Sequence, residues 1–256
     1  MPPKPVKAHP IDARRPKQES SHASTSPQAF VLIHSPFLGP TSLQPLADQL
    51  EAAGVTTFVP DLRAAVTKEP VYERLVAEFT RFVSIAAPPG ESVLVGHSGA
   101  GPLLPALADA ILPTISALIY LDAELPTPGR ALEDVAPVEQ VEQLNTLARG
   151  SQLPPWHLWF DANMLSDLVP DDALRSLVFD EEPRVAAAIV AETRPVANWT
   201  GSAGYVQLSP PYTEAAALFE QSGWPVRRTN THHLAALTQP ETVASTLLDI
   251  NAELNL

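Results

Sequence analysis

The sequence predicts an α/β fold in which a mostly parallel central sheet is flanked by helices, with a helical cap inserted after the fourth predicted strand. From Ala29 onward, short apolar runs typical of strands alternate with helical patterns, as in a parallel sheet covered by helices. The runs at 92–95 and 117–121 are apolar on both faces, which favours central positions in the sheet. One stretch, residues 124–202, contains no clear strand.

Six strands are predicted in chain order. Their sequences are AFVLIH (29–34), TTFV (56–59), SVLVG (92–96), SALIYLD (116–122), GYVQL (204–208) and PVRRT (225–229). Helical patterns lie between or after them, over residues 42–53, 72–85, 100–110, 213–221 and 241–252. Gly54 and Gly223 follow two of these patterns, at positions where helices commonly end.

Two regions of the chain, residues 124–202 and 1–28, lie outside this alternating pattern. Residues 124–202 are too many for a plain loop, so we expect a helical cap. Its aromatic run PPWHLWF makes Trp156 and Trp159 candidates for lining an apolar substrate pocket, and packing of the cap onto the sheet is the alternative. Residues 1–28 are rich in Pro, Ser, Lys and Arg, which predicts a disordered N-terminal tail ahead of a domain at 29–256.

The composition narrows the classes of function. The chain of 256 residues is 45% apolar and long enough to bury a sizeable core. It has no cysteine, which excludes disulfides, thiolate metal sites and a cysteine nucleophile. The net charge of −13 argues against nucleic acid or an anionic membrane as a partner and favours a small neutral or apolar molecule. With no long apolar run and no secretory leader pattern, a cytoplasmic protein is expected.

The clearest chemical motif is GHSGAG at 96–101, which follows an apolar strand and precedes a helical pattern. This is the form of a nucleophile elbow, a turn so tight that small residues are required two positions before and two after the nucleophile. Gly96 and Ala100 occupy those positions around Ser98. Ser98 is therefore the candidate nucleophile, beside backbone N–H groups at a helix N-terminus that stabilise negative charge. A serine that only caps the helix is the alternative.

A serine nucleophile needs a general base. In this architecture the base lies on a loop after the last strand, where THHLAALTQPETVA presents His232 and His233. Adjacent side chains in an extended loop point in different directions, so at most one of the two faces Ser98. His97 is expected to pack beside the elbow. Because the chain has no H-E-x-x-H or similar ligand spacing, neither a metal site nor another cofactor is predicted.

At this point the chain resembles the α/β-hydrolase family over nearly all of residues 30–248. The matching segments are VLIHSP, FVPDLR, GHSGAG, YLDAELP and HLAALTQPETVA. The last segment is similar to the family's histidine motif, with the pattern HxxxLTxPxxVA, and this resemblance selects His233 over His232 as the base. Among relatives, the chain most resembles the small esterase and hydroxynitrile-lyase-like branch.

The resemblance also implies an acid that holds the imidazole tautomer and stabilises the imidazolium. In most of the family this acid follows the strand read here as GYVQL, but Ser209 stands there. Asp122 ends the strand SALIYLD, where the lipase branch carries its acid, and it is the favoured candidate. Glu214 is the alternative, and a third possibility is that neither residue is the acid. A structural role for Asp122 would be that of a strand-end carboxylate that caps the entry to the cap domain.

An oxyanion hole is implied by the same resemblance, with one N–H from Gly99 and another from the loop after the first strand. That loop reads His34-Ser35-Pro36-Phe37, and a proline has no N–H to donate. The second donor is then the Phe37 N–H or the Ser35 hydroxyl. His34 is expected to line the substrate pocket.

Together these residues predict a serine hydrolase acting on a small, weakly charged carboxyl ester or lactone through Ser98, His233 and Asp122. Pro36 and the displaced acid favour a first alternative, a cofactor-free lyase or a non-catalytic ligand-binding member of the same fold. The second is an NAD(P)-binding oxidoreductase, because GHSGAG is glycine-rich and Asp122 follows it by roughly 20 residues. Its spacing is not G-x-G-x-x-G, however, and the histidine motif would have no role.

Overall fold

A computed structural model describes residues 28–112 and 114–254 of the chain. Within these residues, six strands form one sheet in the order β2-β1-β3-β4-β5-β6, and all neighbouring strands pair in parallel. The strands are β1 (Ala29–Ile33), β2 (Thr56–Phe58), β3 (Ser92–His97), β4 (Ile115–Leu121), β5 (Ser202–Gln207) and β6 (Val226–Arg228). The predicted fold class is confirmed, with β3 and β4 at the centre of the sheet.

Helices connect the strands and cover both faces of the sheet. In the described part of the chain they are α1 (Gln44–Ala52), α2 (Val71–Ala86), α3 (Leu104–Asp109), α4 (Val138–Leu147), α5 (Ala162–Leu168), α6 (Asp172–Glu181), α7 (Thr213–Gln221), α8 (Ala235–Thr238) and α9 (Pro240–Leu254). None of them is both long enough and apolar enough to cross a membrane.

Two hydrophobic cores lie on opposite faces of the sheet, because side chains alternate along each strand. On one face, Val31 and Ile33 of β1 belong to the cluster that includes buried side chains of α2, α3 and α7. On the other face, Phe30 and Leu32 belong to the cluster formed with α1 and α9. The sheet is therefore buried on both sides, as its apolar strand sequences require.

The strand register sets the position of the site. His97, the last residue of β3, pairs with Leu121, the last residue of β4. The residues that follow, Ser98 and Asp122, therefore leave the sheet at the same carboxyl edge. Ligands of open α/β sheets bind at this edge.

The helix predicted over 100–110 is shorter in the structure. Residues Ser98–Leu103 form a 3-10 turn, and the α-helix begins only at Leu104. A helix that began at residue 100 would place Pro105 in its interior, where proline has no N–H for the Gly101 carbonyl; in the observed helix Pro105 lies in the first turn, where that N–H is not needed. The Ser98 carbonyl accepts the backbone N–H of Glu124 at 3.2 Å, which ties the elbow to the chain leaving β4.

The long segment after β4 is helical, as far as the structure describes it. It contains α4, α5 and α6 and short 3-10 turns, of which Trp156–Trp159 is one, and β5 begins at Ser202, the last residue of the predicted 124–202 cap. Its action as a cap stays a prediction. The predicted disordered tail, residues 1–28, lies outside the described residues except for Gln28, whose side-chain amide donates to the Ser116 hydroxyl at 3.0 Å.

Candidate active site

Ser98 stands on a strained turn directly after β3. Its backbone φ is 57°, in the left-handed region that residues other than glycine seldom adopt and that a nucleophile elbow uses. The elbow packs closely on α3, since a Cβ placed on Gly96 would lie 2.8 Å from Leu104 Cγ. The Ala100 side chain is fully buried, so a small residue is also needed on the other side of Ser98.

Gly101 is a second close contact of the elbow, which the sequence patterns did not single out. A Cβ at this position would lie only 2.2 Å from the backbone carbonyl oxygen of Glu124. The chain that leaves β4 therefore runs directly against the elbow, and Asp122 is brought near Ser98 by main-chain packing.

The structure brings Ser98, His233 and Asp122 into one line of hydrogen bonds. His233 lies on the loop between β6 and α8, with its Nε2 3.0 Å from Ser98 Oγ and its Nδ1 2.7 Å from Asp122 Oδ2. A carboxylate only accepts hydrogen bonds, so Nδ1 carries the proton and Nε2 is left to accept the Ser98 hydroxyl. Along the chain, His233 lies 135 positions from Ser98 and 111 positions from Asp122.

Asp122 is fully buried but richly hydrogen-bonded. Its Oδ1 accepts the backbone N–H groups of Leu208 and Ser209 at 2.8 and 2.9 Å, and its Oδ2 accepts the Ser209 hydroxyl at 2.5 Å in addition to His233. Burial acts to raise the pKa of Asp122, but the hydrogen bonds and the charge of His233 outweigh burial and lower the pKa below its ordinary value. The carboxylate is therefore ionised at neutral pH.

Ser209 occupies the position where the family resemblance implied an acid. In the structure it supplies the hydroxyl that donates to Asp122 Oδ2, so the loop after β5 supports the carboxylate without providing it. Glu214, the alternative acid, lies exposed on the first turn of α7. The contact with His233 Nδ1 is made by Asp122 instead.

The other two histidines near the elbow have different contacts. The Nε2 of His232 lies 2.9 Å from Thr238 Oγ1, so the geometry also selects His233 to face Ser98. His97 is buried, stacks on the His233 ring with centroids 4.7 Å apart, and its Nε2 donates to the His233 carbonyl at 3.0 Å. Burial and then the nearby charge of His233 lower the pKa of His97 to about 3, which keeps its ring neutral.

The predicted oxyanion-hole residues also lie together. A Cβ placed on Gly99 would be 3.4 Å from Pro36 Cδ and 3.5 Å from Ser35 Oγ, so the loop after β1 lies directly against Gly99. The Phe37 N–H is directed toward Ser35 Oγ, with a nitrogen-to-oxygen distance of 3.4 Å. The Ser35 hydroxyl is thus the polar group of this loop that comes close to Gly99.

His34 is 2% exposed, and both of its ring nitrogens are engaged with backbone groups. Nδ1 donates to the Ser35 carbonyl at 2.8 Å, and Nε2 accepts the N–H of Leu62 at 3.1 Å. Burial lowers the pKa of His34, which favours the neutral ring that these two bonds require. These contacts give His34 a structural role between two loops, and its lining of a substrate pocket stays a prediction.

Comparison with known proteins supports the fold. No protein-family model matches the sequence, and no curated protein matches it. Among solved structures, an extracellular α/β-hydrolase from a Paenibacillus species is 16% identical with a TM-score of 0.68, over 88% of this chain and 99% of that one. A pyrethroid hydrolase from Sphingobium faniae is 21% identical with a TM-score of 0.64, over 87% and 96% of the two chains. Polyneuridine aldehyde esterase is 19% identical with a TM-score of 0.65, over 88% and 99%.

This chain has the α/β-hydrolase fold. The resemblance seen in the sequence motifs is thereby confirmed at the level of the fold. In α/β-hydrolases the nucleophile projects from the turn between a strand and the following helix at the top of the sheet. Ser98 lies at that place in this chain, and its φ of 57° is the expected strain.

Aromatic side chains surround the elbow of this α/β-hydrolase fold. Trp159 packs edge-on against Phe37 with ring centroids 4.8 Å apart, and Trp156 lies 6.4 Å from the His233 ring. Tyr212 stacks on His233 at 5.1 Å. We call Phe37, Trp156, Trp159 and Tyr212 the aromatic wall. The sequence reasoning missed Tyr212, and the only available signal was its position three residues after Ser209.

The contacts of Asp122 bear on the alternative that the chain binds NAD(P). Asp122 is fully buried and bonded to His233 and Ser209, so its carboxylate is not free to bind a nucleotide ribose. Across residues 28–112 and 114–254, no group of three or more His, Asp or Glu side chains is arranged to hold a metal ion.

Proposed function

We propose that this chain is a serine hydrolase that cleaves small, weakly charged carboxylic esters or lactones, with Ser98 as nucleophile, His233 as general base and Asp122 as the acid. The observation that carries the proposal is the continuous set of hydrogen bonds from Ser98 Oγ through both ring nitrogens of His233 to a buried carboxylate. A helix-capping serine would not need a histidine whose tautomer is held in this way.

In the first step, Ser98 Oγ attacks the ester carbonyl and its proton passes to His233 Nε2. Asp122 stabilises the imidazolium, since its carboxylate lies 2.7 Å from Nδ1. The imidazolium then gives its proton to the departing alcohol. Water repeats the route in the second step and releases the acid from Ser98.

The negative charge of the tetrahedral intermediate needs donors aimed at its oxygen. The Gly99 N–H, which follows the nucleophile, is the first proposed donor. The loop after β1 supplies the second, from the Ser35 hydroxyl or the Phe37 N–H, which lie together next to Gly99. Pro36 has no N–H, so this second donor differs from the usual backbone arrangement.

The substrate class follows from the surroundings of Ser98. The aromatic wall presents apolar surface on both the Gly99 side and the His233 side of the nucleophile. The net charge of −13 disfavours strongly anionic substrates. Two of the similar solved structures are named a pyrethroid hydrolase and an esterase, and these names support an ester substrate with an apolar body.

One observation favours a second candidate, a cofactor-free lyase that uses the same three residues for proton transfer. The Pro36 ring lies where an N–H donor would otherwise stand, with its Cδ 3.4 Å from the Cβ position of Gly99. Such a site moves protons without needing a full oxyanion hole. Cleavage of a cyanohydrin in the absence of ester hydrolysis would support this candidate over the hydrolase.

The decisive experiment is reaction of the protein with a fluorophosphonate, followed by peptide mass mapping. We expect stoichiometric labelling of the wild type at Ser98, none for Ser98→Ala, and a rate for His233→Ala lower by a factor on the order of 10²–10⁴. His232→Ala is the matched control, because it removes the adjacent imidazole and should label at the wild-type rate. A folded wild type that stays unlabelled, or that labels at another residue, would contradict the proposal.

A further inference from the structure

Tyr212 contacts two of the three proposed catalytic residues, although no sequence motif marked it. Its hydroxyl lies 3.4 Å from Ser98 Oγ. Its ring stacks on the His233 imidazole, with centroids 5.1 Å apart and planes inclined by 10°. The phenol therefore approaches the nucleophile while the ring covers the base.

A short turn, held by several hydrogen bonds, positions Tyr212 next to Ser98 and His233. The 3-10 turn Pro210–Tyr212 directly follows Ser209, and the Tyr212 N–H donates to the Ser209 carbonyl at 3.3 Å. The side chain of Gln207 donates to the same carbonyl at 3.1 Å and to Thr213 Oγ1 at 2.8 Å, which fixes both ends of the turn. Because the Ser209 hydroxyl also donates to Asp122, one turn supports the carboxylate and positions the phenol.

The protonation states define which group donates at Ser98 Oγ. Burial raises the pKa of Tyr212 above its ordinary value, and the hydrogen bond with Ser98 lowers it by less, so the phenol keeps its proton at neutral pH. The Ser98 hydroxyl donates to His233 Nε2, whose partner nitrogen carries the ring proton. A lone pair of Ser98 Oγ is then left to accept the Tyr212 O–H.

We propose that Tyr212 is a further catalytic residue, whose hydroxyl donates a hydrogen bond to Ser98 Oγ and stabilises the negative charge that develops on this oxygen. The inference rests on the proposed function, in which Ser98 is the nucleophile. The contact of 3.4 Å is longer than a typical O–H···O bond. It is expected to shorten as charge builds on Oγ, because bonds to charged acceptors are shorter and stronger.

The hydrogen bond from Tyr212 does not change which protons are transferred in the reaction. In acylation, the bond between Oγ and the acyl carbon forms and the Ser98 proton moves to His233. The bond from the acyl carbon to the alcohol oxygen then breaks, its electron pair stays on that oxygen, and the alcohol leaves with the proton from His233. In deacylation, water attacks the acyl carbon and gives a proton to His233. The bond between carbon and Oγ then breaks, its electron pair stays on Oγ, and Oγ takes the proton back from His233. Tyr212 keeps its own proton throughout, so its effect is electrostatic.

The test is Tyr212→Phe, which removes the hydroxyl and keeps the ring that stacks on His233. We expect kcat for a p-nitrophenyl ester and the rate of fluorophosphonate labelling each to fall about tenfold, as for the loss of one hydrogen bond. KM and Tm should stay at the wild-type values. The matched control is Tyr72→Phe on α2, which removes a phenol whose oxygen lies 3.4 Å from the Ile189 carbonyl and which should keep the wild-type kcat and labelling rate.

The outcomes separate this inference from the proposed function. If the wild type reacts at Ser98 and Tyr212→Phe keeps the wild-type kcat and labelling rate, the inference alone fails. A lower activity that tracks a lower Tm or a higher KM would also overturn it, because that pattern belongs to a structural role. If the wild type neither hydrolyses esters nor labels at Ser98, the proposed function fails and the role of Tyr212 fails with it.

Discussion

Replacing Asp122 by Asn removes the charge of the carboxylate while keeping the shape of the side chain, and the structure determines which way the amide faces. The backbone N–H groups of Leu208 and Ser209 both donate to Oδ1, at 2.8 and 2.9 Å. An amide NH₂ in that position would leave two buried donors without an acceptor, at roughly 1–3 kcal/mol each. The Asn oxygen is therefore expected at the Oδ1 position and its NH₂ group at the Oδ2 position.

This orientation puts an N–H donor against His233. The NH₂ group would take the place of Oδ2, which lies 2.7 Å from His233 Nδ1, so Nδ1 has to become an acceptor. The ring proton then moves to Nε2, which lies 3.0 Å from Ser98 Oγ and can no longer accept the hydroxyl proton. Loss of the correct tautomer costs about 10⁴ in kcat in serine proteases, which corresponds to about 5 kcal/mol of transition-state stabilisation.

The assay is hydrolysis of a p-nitrophenyl ester together with the rate of fluorophosphonate labelling, and Tm reports on folding. Glu214→Gln is the matched control, because it makes the same chemical change at the alternative acid, which lies exposed on α7. We expect Asp122→Asn to lose about four orders of magnitude in both rates and Glu214→Gln to keep them. The reasoning would be refuted if Asp122→Asn kept more than about a tenth of the wild-type rate, or if Glu214→Gln lost activity.

The remaining predictions concern stability. Gly101→Ala should lower the free energy of unfolding by about 1–3 kcal/mol, because its Cβ would lie 2.2 Å from the Glu124 backbone oxygen; an unchanged urea midpoint would contradict this. Wild-type stability should fall as the pH drops from 6.5 toward 3, because the unfolded chain protonates His97 near 6.5 whereas the folded chain holds its pKa at about 3. His97→Gln should lose less over the same range in urea titrations, and equal pH slopes would count against the burial argument.

The strands and the elbow could be predicted because their signals are local. Each predicted strand overlaps one observed strand, since a parallel sheet buried on both faces needs continuous apolar runs. The helix predicted from residue 100 began too early because the helical pattern ran through Pro105, which has no N–H for the Gly101 carbonyl and is tolerated only in the first turn of a helix. The four-residue helix α8 was not predicted, as so short an element has too few residues to show a period.

By itself, the sequence determined the parallel sheet, the elbow around Ser98 and the two histidines of the last loop, because each depends on residues within one short segment. Tertiary structure alone decided which carboxylate meets His233, why Ser209 replaces an acid, and that Tyr212 reaches Ser98. These contacts join residues 86 or more positions apart and depend on how separate loops pack at one edge of the sheet. Periodicity and turn chemistry describe a single segment, so they contain no information about distances between loops that meet only in the folded chain.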